Sequence, residues 1–340
     1  MAAGVLRAGM VGAGWMAGLH ADVLDAMPSV ELVAVADPDP ARAQALARPR
    51  QASAYPDWSA MLEAERLDAI WVCTPPLAHR EPALAALGES IHVYLEKPIA
   101  RTTPDAQAIV EAAAASDAVC AVGYQWHASE LLDRTREATA GQSITLLIGR
   151  NYGPVPARPW FLQRAEGGGQ LLERGSHHVD LQRALVGEVQ AVSAVAAGAH
   201  AATRAPDGDI EDTVLATLHF DNGALGSIAV AWTADDQPEH YSLDVIAHDA
   251  TALIELGPDV FRIAGSQRGR PLGGAYDDPL RRSNERFLAA VSSGDPQRVF
   301  CLPADALQTL RVVEACELAL ATGDRVPVTS EVNDEPDTRQ

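Results

Sequence analysis

Lys97 is the only lysine in this 340-residue chain; every other one of its 26 basic residues is arginine. Arginine keeps its proton and spreads its charge over a planar fork. Lysine is a compact cation whose proton affinity can be tuned, so it can work beside a reacting oxygen. Lys97 closes the apolar run Ile91-His92-Val93-Tyr94-Leu95-Glu96 and is followed by Pro98. That is the pattern of a buried parallel strand reaching the carboxyl edge of its sheet, where ligands bind. A second group lies far downstream. Glu173 and His177 are four residues apart, and Asp180 is three further on. At helical spacing these share a face, and a carboxylate beside an imidazole would orient it and favour its protonated form. An ion cluster on a helix surface is the competing reading. No further carboxylate or histidine pattern joins the group, so no metal is expected. His178, one residue round, reads as structural or as a secondary contact.

These groups need a cofactor, and the first third of the chain offers a place for one. A short apolar run, Val5 to Val11, leads into Gly12-Ala13-Gly14-Trp15-Met16-Ala17, which opens a helix to about Met27. In this glycine pattern the first glycine allows the tight turn and the second lets a pyrophosphate reach the backbone. The small third residue lets helix and strand pack, while the helix N-terminus faces the phosphates. Asp37 ends the next strand about 20 residues on, where a carboxylate can accept both ribose hydroxyls of NAD and would repel the 2′-phosphate of NADP. The expected dinucleotide contacts are Gly12, Gly14, Trp15, Met16 and Asp37, the loop Cys73, Thr74 and Pro75 that ends a later strand, His79, Glu96 and Lys97. His79 is open between a structural and a ligand-contacting role. NAD is the expected cofactor.

Strands alternating with helices up to residue 123 predict a doubly wound parallel sheet. Beyond it the pattern changes, and residues 124–328 read as a second α/β domain, with a polar, acidic tail at 329–340 expected to be disordered. Tyr152 to Glu166 reads as a long loop holding three prolines, and Gly167-Gly168-Gly169 as a flexible entry to a helix ending near Val186. Strands are expected at 189–197, 212–220, 224–232, 241–248 and 251–256, with Asp221-Asn222-Gly223 as a hairpin turn. Helices at 281–292 and 303–322 close the chain. Net charge is −20, which opposes nucleic acid and anionic membrane as partners. No apolar run approaches ~18 residues, and a strand beginning almost at residue 1 leaves no room for a leader. Cys73, Cys120, Cys301 and Cys316 show no pairing or metal spacing, so free thiols in a reducing cytoplasm are expected.

Several stretches resemble one family, the Gfo/Idh/MocA oxidoreductases. They are Gly12-x-Gly14-x-x-Ala17, Asp37-Pro38-Asp39, Thr74-Pro75-Pro76 with His79, Glu96-Lys97-Pro98, Val122-Gly123-Tyr124, and the run from Gly167 through Glu173 and His177 to Asp180. The resemblance implies a Rossmann domain followed by a domain with a large, open, mostly antiparallel sheet, and a cis Lys97–Pro98 peptide. It further implies an NAD-dependent oxidation of a secondary alcohol in a sugar, cyclitol or related polyol, and a homodimer or homotetramer built through the second sheet. Lys97, His177 and Glu173 are then the catalytic group, His177 as base, Glu173 fixing its tautomer and Lys97 stabilising the alkoxide. Which of Lys97 and His177 takes the proton stays open. Gln125, Trp126, Tyr152, Trp160 and His177 are the expected substrate contacts. The family usually carries aspartate at Glu173 and often arginine at His127. Two other readings remain: NAD-dependent glycoside hydrolase or epimerase chemistry, and a non-catalytic dinucleotide-sensing regulator.

Overall fold

The computed structural model describes residues 5–156, 159–198, 208–233, 239–255 and 278–329. The first sheet is built from β1 (Leu6–Val11), β2 (Val30–Ala36), β3 (Ser53–Tyr55), β4 (Ala69–Val72), β5 (His92–Glu96) and β6 (Cys120–Gly123). Its order is β3-β2-β1-β4-β5-β6, with every pair parallel. The helices between are α1 (Trp15–Asp25), α2 (Pro40–Ala47), α3 (Trp58–Ala64), α4 (Arg80–Gly88) and α5 (Thr103–Ala115). Their starts are written in the sequence. The Asp39 side chain accepts from the Ala41 and Arg42 N–H groups ahead of Pro40, Asp57 caps α3 and Thr102 caps α5. Such a cap stabilises a helix by about 1 kcal/mol. The strand order reverses beside β1, and that switch point opens a crevice at the carboxyl ends of β1 and β4.

The second sheet is mixed and mostly antiparallel. It contains β7 (Ile144–Pro154), β8 (Val189–Ala197), β9 (Thr213–Phe220), β10 (Leu225–Thr233), β11 (His240–Ala247), β12 (Thr251–Glu255) and β13 (Val326–Pro327), in the order β12-β11-β7-β10-β9-β8-β13. Only β7 and β10 run parallel. Gly223, at φ +88°, makes the β9–β10 hairpin turn. One face is core: Val192, Val214, Ala216, Leu218, Ile228 and Val230 are buried. The other carries Val195, Leu215, Leu225 and Leu253 exposed to solvent, with Val195 directly opposite Leu215.

α6 (Glu130–Ala138), α7 (Arg164–Gly167), α8 (Ser176–Val186), α9 (Pro279–Ser293) and α10 (Pro303–Thr322) complete the described helices. α10 packs on β8, α5 and α8, so its buried face joins both sheets into one core. α9 crosses the expected boundary at residue 123. Its Phe287 and Ala290 are buried with Met10, Trp71 and Tyr94 on the first sheet. The long loop expected from Tyr152 is shorter than read: β7 runs to Pro154, and Pro159–Leu162 and α7 are helical. The tail from residue 330, and residue 256 of the last expected strand, lie outside the described residues. The described cysteines are free, with Cys120, Cys301 and Cys316 buried and Cys73 half-buried.

Candidate active site

The dinucleotide turn has the shape its glycines require. Gly12 sits at φ +90°, and a Cβ there would lie 2.8 Å from the Cys73 carbonyl oxygen, so only glycine lets β1 turn against the end of β4. Gly14 is the reverse case. A Cβ there would meet nothing within 4 Å, and as N-cap of α1 it provides no side-chain cap. The start of α1 is thus uncapped by any side chain and has room beside Gly14, which suits a pyrophosphate. Asp37 is buried at the end of β2. One carboxylate oxygen accepts from the Ala13 N–H and the other from the Asp39 N–H, both at 2.8 Å. These bonds fix the acid at the rim of the turn. Bare glycine, open helix end and fixed carboxylate together fit a dinucleotide.

The Lys97 loop lies beside this turn. The Lys97–Pro98 peptide is cis. His79 is completely buried. Its Nε2 lies 2.8 Å from the Thr74 carbonyl oxygen and its Nδ1 2.9 Å from that of Pro98. It thus straps the loop after β4 to the loop after β5. Burial lowers its pKa. The expected cofactor contact at His79 is corrected accordingly: the ring is completely buried between the Thr74 and Pro98 carbonyl groups. Glu96, also expected to touch the cofactor, is buried beneath the loop, one oxygen on His20 and the other on the Lys97 N–H.

Lys97 reaches across to the second domain. Its Nζ lies 2.9 Å from Glu173 Oε1 and donates to the Glu173 carbonyl oxygen at 2.8 Å. His177, four residues on in the same segment, is buried edge-on to the rings of Tyr124 and Tyr241. Burial, then the Lys97 charge, then His178 hold its pKa well below the ordinary value, so the imidazole is neutral. The expected Glu173–His177 pairing is not made. The carboxylate is on Lys97, and His177 Nδ1 has no hydrogen-bond partner among the described residues. The reason is local. Leu171–Gly175 is a π-helical turn, and only from Ser176 is the helix regular. The wider turn breaks the four-residue register, and such turns recur at functional sites. Gly175 faces Leu171, whose Cδ2 would be 2.9 Å from a Cβ, rather than the Lys97 loop. Asp180 instead approaches His127, Oδ2 to Nδ1 3.5 Å.

With this geometry in place, comparison with known proteins is decisive. Residues 6–124 match the model of an oxidoreductase family with an NAD-binding Rossmann fold, and residues 142–252 match the GFO/IDH/MocA C-terminal domain. A putative UDP-kanosamine synthase oxidoreductase subunit of Amycolatopsis mediterranei is 30% identical over 316 residues, 86% of this chain and 82% of that one. The chain belongs to the Gfo/Idh/MocA family of NAD-binding oxidoreductases. Levoglucosan dehydrogenase of Pseudarthrobacter phenanthrenivorans is 25% identical over 277 residues, 71% of each chain. Among solved structures, GenD2 from gentamicin A biosynthesis, in complex with NAD, superposes with a TM-score of 0.81 at 25% identity, covering 96% of this chain and 97% of that one. A levoglucosan dehydrogenase solved with NADH and levoglucosan shares the fold, with a TM-score of 0.83 at 22% identity over 96% of this chain and all (100%) of that one.

In this member of the Gfo/Idh/MocA family one half of the site follows β5 and the other lies on the π turn and α8, but not every expected substrate contact reaches it. Trp126 does. It stacks on Tyr241 at 5.7 Å, and the other face of Tyr241 stacks on His178 at 4.4 Å. His178 is buried against Gly149 of β7, where a Cβ would come within 2.7 Å of its ring, so it is structural. Gln125 lines a cleft with Trp126, Leu19 and Val23 of α1, and Leu280. Tyr152 does not reach the site. It is 39% exposed and stacks on His240 on the outer side of β7. Asn151 has the inward position, and strand alternation sends its neighbour outward. Trp160 joins Phe161, Leu162, Ile210 and Trp232 in a separate small core. The sequence reading missed Tyr241. An aromatic at the start of a strand shows nothing of the histidines it will pack between.

Proposed function

We propose that the protein oxidises a secondary alcohol of a sugar, cyclitol or related polyol with NAD. The observation that carries this is the meeting of Lys97, paired with Glu173, and a neutral buried His177 at the carboxyl end of β5, one strap from the glycine turn. Bound NAD accepts a hydride at C4 of its nicotinamide. The carbinol carbon loses that hydride with its electron pair, and the hydroxyl proton must go to the protein. His177 is the base, since its imidazole is neutral and its Nδ1 has no partner among the described residues. An ammonium has three N–H donors. Two of those on Lys97 are engaged by Glu173, and the third is directed to the substrate oxygen to stabilise alkoxide character. Trp126, backed by the buried Tyr241, supplies an aromatic wall for an apolar sugar face, with Gln125 beside it. The relatives named above, a levoglucosan dehydrogenase among them, support this substrate class.

The exposed row Val195, Leu215, Leu225 and Leu253 supports a homodimer or homotetramer that covers the open face of the second sheet. The four free cysteines fit a cytoplasmic setting. Thermal unfolding with NAD, alone and with cyclitols and monosaccharides, tests the assignment, because ligands of the native state raise its midpoint. NAD should raise it and one polyol class should add to the shift. No polyol effect in the presence of NAD would reject the substrate class.

A further inference from the structure

A chain of buried hydrogen bonds runs from helix α9 to Lys97, and its direction can be read from the donors. Trp71 Nε1–H, which can only donate, lies 2.8 Å from Asn284 Oδ1. That fixes the amide, so Asn284 Nδ2 donates to the Leu280 carbonyl oxygen at 2.8 Å, and His20 Nδ1 lies against both amide atoms, 3.0 Å from Nδ2 and 3.2 Å from Oδ1. The Glu96 carboxylate only accepts, so its Oε1, 2.9 Å from His20 Nε2, places the imidazole proton on Nε2 and leaves Nδ1 to accept from Asn284 Nδ2. The second oxygen of Glu96 accepts from the Lys97 N–H at 3.2 Å. His20, Trp71 and Asn284 are completely buried and Glu96 is 5% exposed. Tyr94, edge-on to His20 at 4.8 Å, and Gly123, where a Cβ would lie 2.8 Å from Glu96 Oε1, close the remaining sides.

We propose that His20 and Asn284 are positioning residues for Lys97. Asn284 seats the His20 ring, His20 holds the Glu96 carboxylate, and Glu96 fixes the backbone from which Lys97 reaches Glu173. The relay joins three elements: α1, which begins at the dinucleotide turn, β5, which carries the lysine, and α9, more than 250 residues from His20, at a separation of 264. Such a connection has a clear use. Each member is satisfied only when all are in place, so the network admits one arrangement. A buried carboxylate deprived of its donor must move or neutralise, and the Lys97 backbone would move with it.

This inference rests on the proposed dehydrogenase reading for its kinetic test but has a second readout that does not. In the wild-type protein labelled with ¹⁵N-histidine, His20 should show the Nε2–H tautomer, and Asn284→Ala, which strips Nδ1 of its partner, should shift the His20 Nδ1 resonance. In kinetics, His20→Leu removes the donor at similar bulk and should lower kcat on the order of 10- to 100-fold, the loss expected for a misplaced group. KM for the polyol and Kd for NAD should stay within about twofold, because His20 touches neither ligand. His20→Gln carries an amide N–H toward Glu96 and should restore most of the lost kcat. Full kcat in folded His20→Leu, no rescue by His20→Gln, or an Nδ1–H or imidazolium His20 would overturn the relay. Absence of dehydrogenase activity in the wild type, with His20 still in the Nε2–H tautomer and sensitive to Asn284, would overturn the functional reading while supporting the relay.

Discussion

Lys97 Nζ is held twice by one residue, 2.9 Å from the Glu173 carboxylate and 2.8 Å from the Glu173 carbonyl oxygen. The two bonds act differently under substitution. Glu173→Asp withdraws the carboxylate by one methylene but leaves the carbonyl, whereas Glu173→Ala leaves the carbonyl alone. kcat should fall in both, by about 10-fold in the first and about 100-fold in the second, in the range for a group that positions a catalytic partner. NAD affinity should be unchanged. Steady-state kinetics with calorimetric NAD binding decide this. Equal, full activity in both variants would mean that the carboxylate plays no part.

Gly12 and Gly14 should separate folding from binding. A methyl at Gly12 would meet the Cys73 carbonyl oxygen at 2.8 Å in a backbone at φ +90°. Gly12→Ala should therefore lower stability by about 1–3 kcal/mol, along with NAD binding. At Gly14 a methyl meets nothing of the protein within 4 Å. Gly14→Ala should melt as the wild type does yet bind NAD at least about tenfold more weakly, because the methyl stands where the phosphates approach the backbone. Wild-type NAD affinity in Gly14→Ala would place the phosphates elsewhere.

Asp37 should set the choice of dinucleotide. With its oxygens anchored on the Ala13 and Asp39 N–H groups, it cannot swing away from a 2′-phosphate. Asp37→Ala should weaken NAD by about 10- to 100-fold, the loss for a charge-assisted bond worth about 1.5–3 kcal/mol, and bring NADP closer to it. Fluorescence titration with both reduced nucleotides measures the ratio, and an unchanged ratio would contradict the role.

Acid should act on the native state through its buried histidines. His178 is pushed down to about 3 by burial, while unfolded histidine sits near ~6.5. Between those values the unfolded chain binds the proton and the native one does not, so the stability contribution is complete above ~6.5 and is lost progressively as pH falls from there to about 3. Glu317, pushed up to about 7 by burial, works in the opposite sense, gaining as pH falls. A difference isolates the histidine. His178→Phe keeps a ring against Tyr241, so its Tm should fall less than that of the wild type between pH 7 and pH 4. A Tm gap independent of pH would contradict a neutral, buried His178.

What the sequence made legible was governed by local rules. The Rossmann half could be read because strand, glycine turn, helix and terminal acid follow one another within a short stretch. The β9–β10 hairpin could be read because Asn222-Gly223 has few other uses. The π turn at Leu171–Gly175 could not, since an inserted residue leaves no compositional mark, and with it went the Glu173–His177 contact. Tyr152 failed for a reason of one residue: aromatic character was visible, but the face of β7 on which it falls was not. The His20–Asn284 bond spans 264 positions, and nothing at either end announces the other. The docking of α9 on the first sheet was hidden for the same reason.

The most direct test of the central claim is the fate of the carbinol hydrogen. The protein would be incubated with NAD and a polyol deuterated at the carbon to be oxidised, and the nicotinamide recovered and examined by NMR. The account predicts net NADH carrying deuterium at C4, formed more slowly than with the protiated substrate, and none from Lys97→Arg or His177→Ala. Deuterium found in product sugar with no net NADH, or undiminished transfer by the two variants, would contradict it.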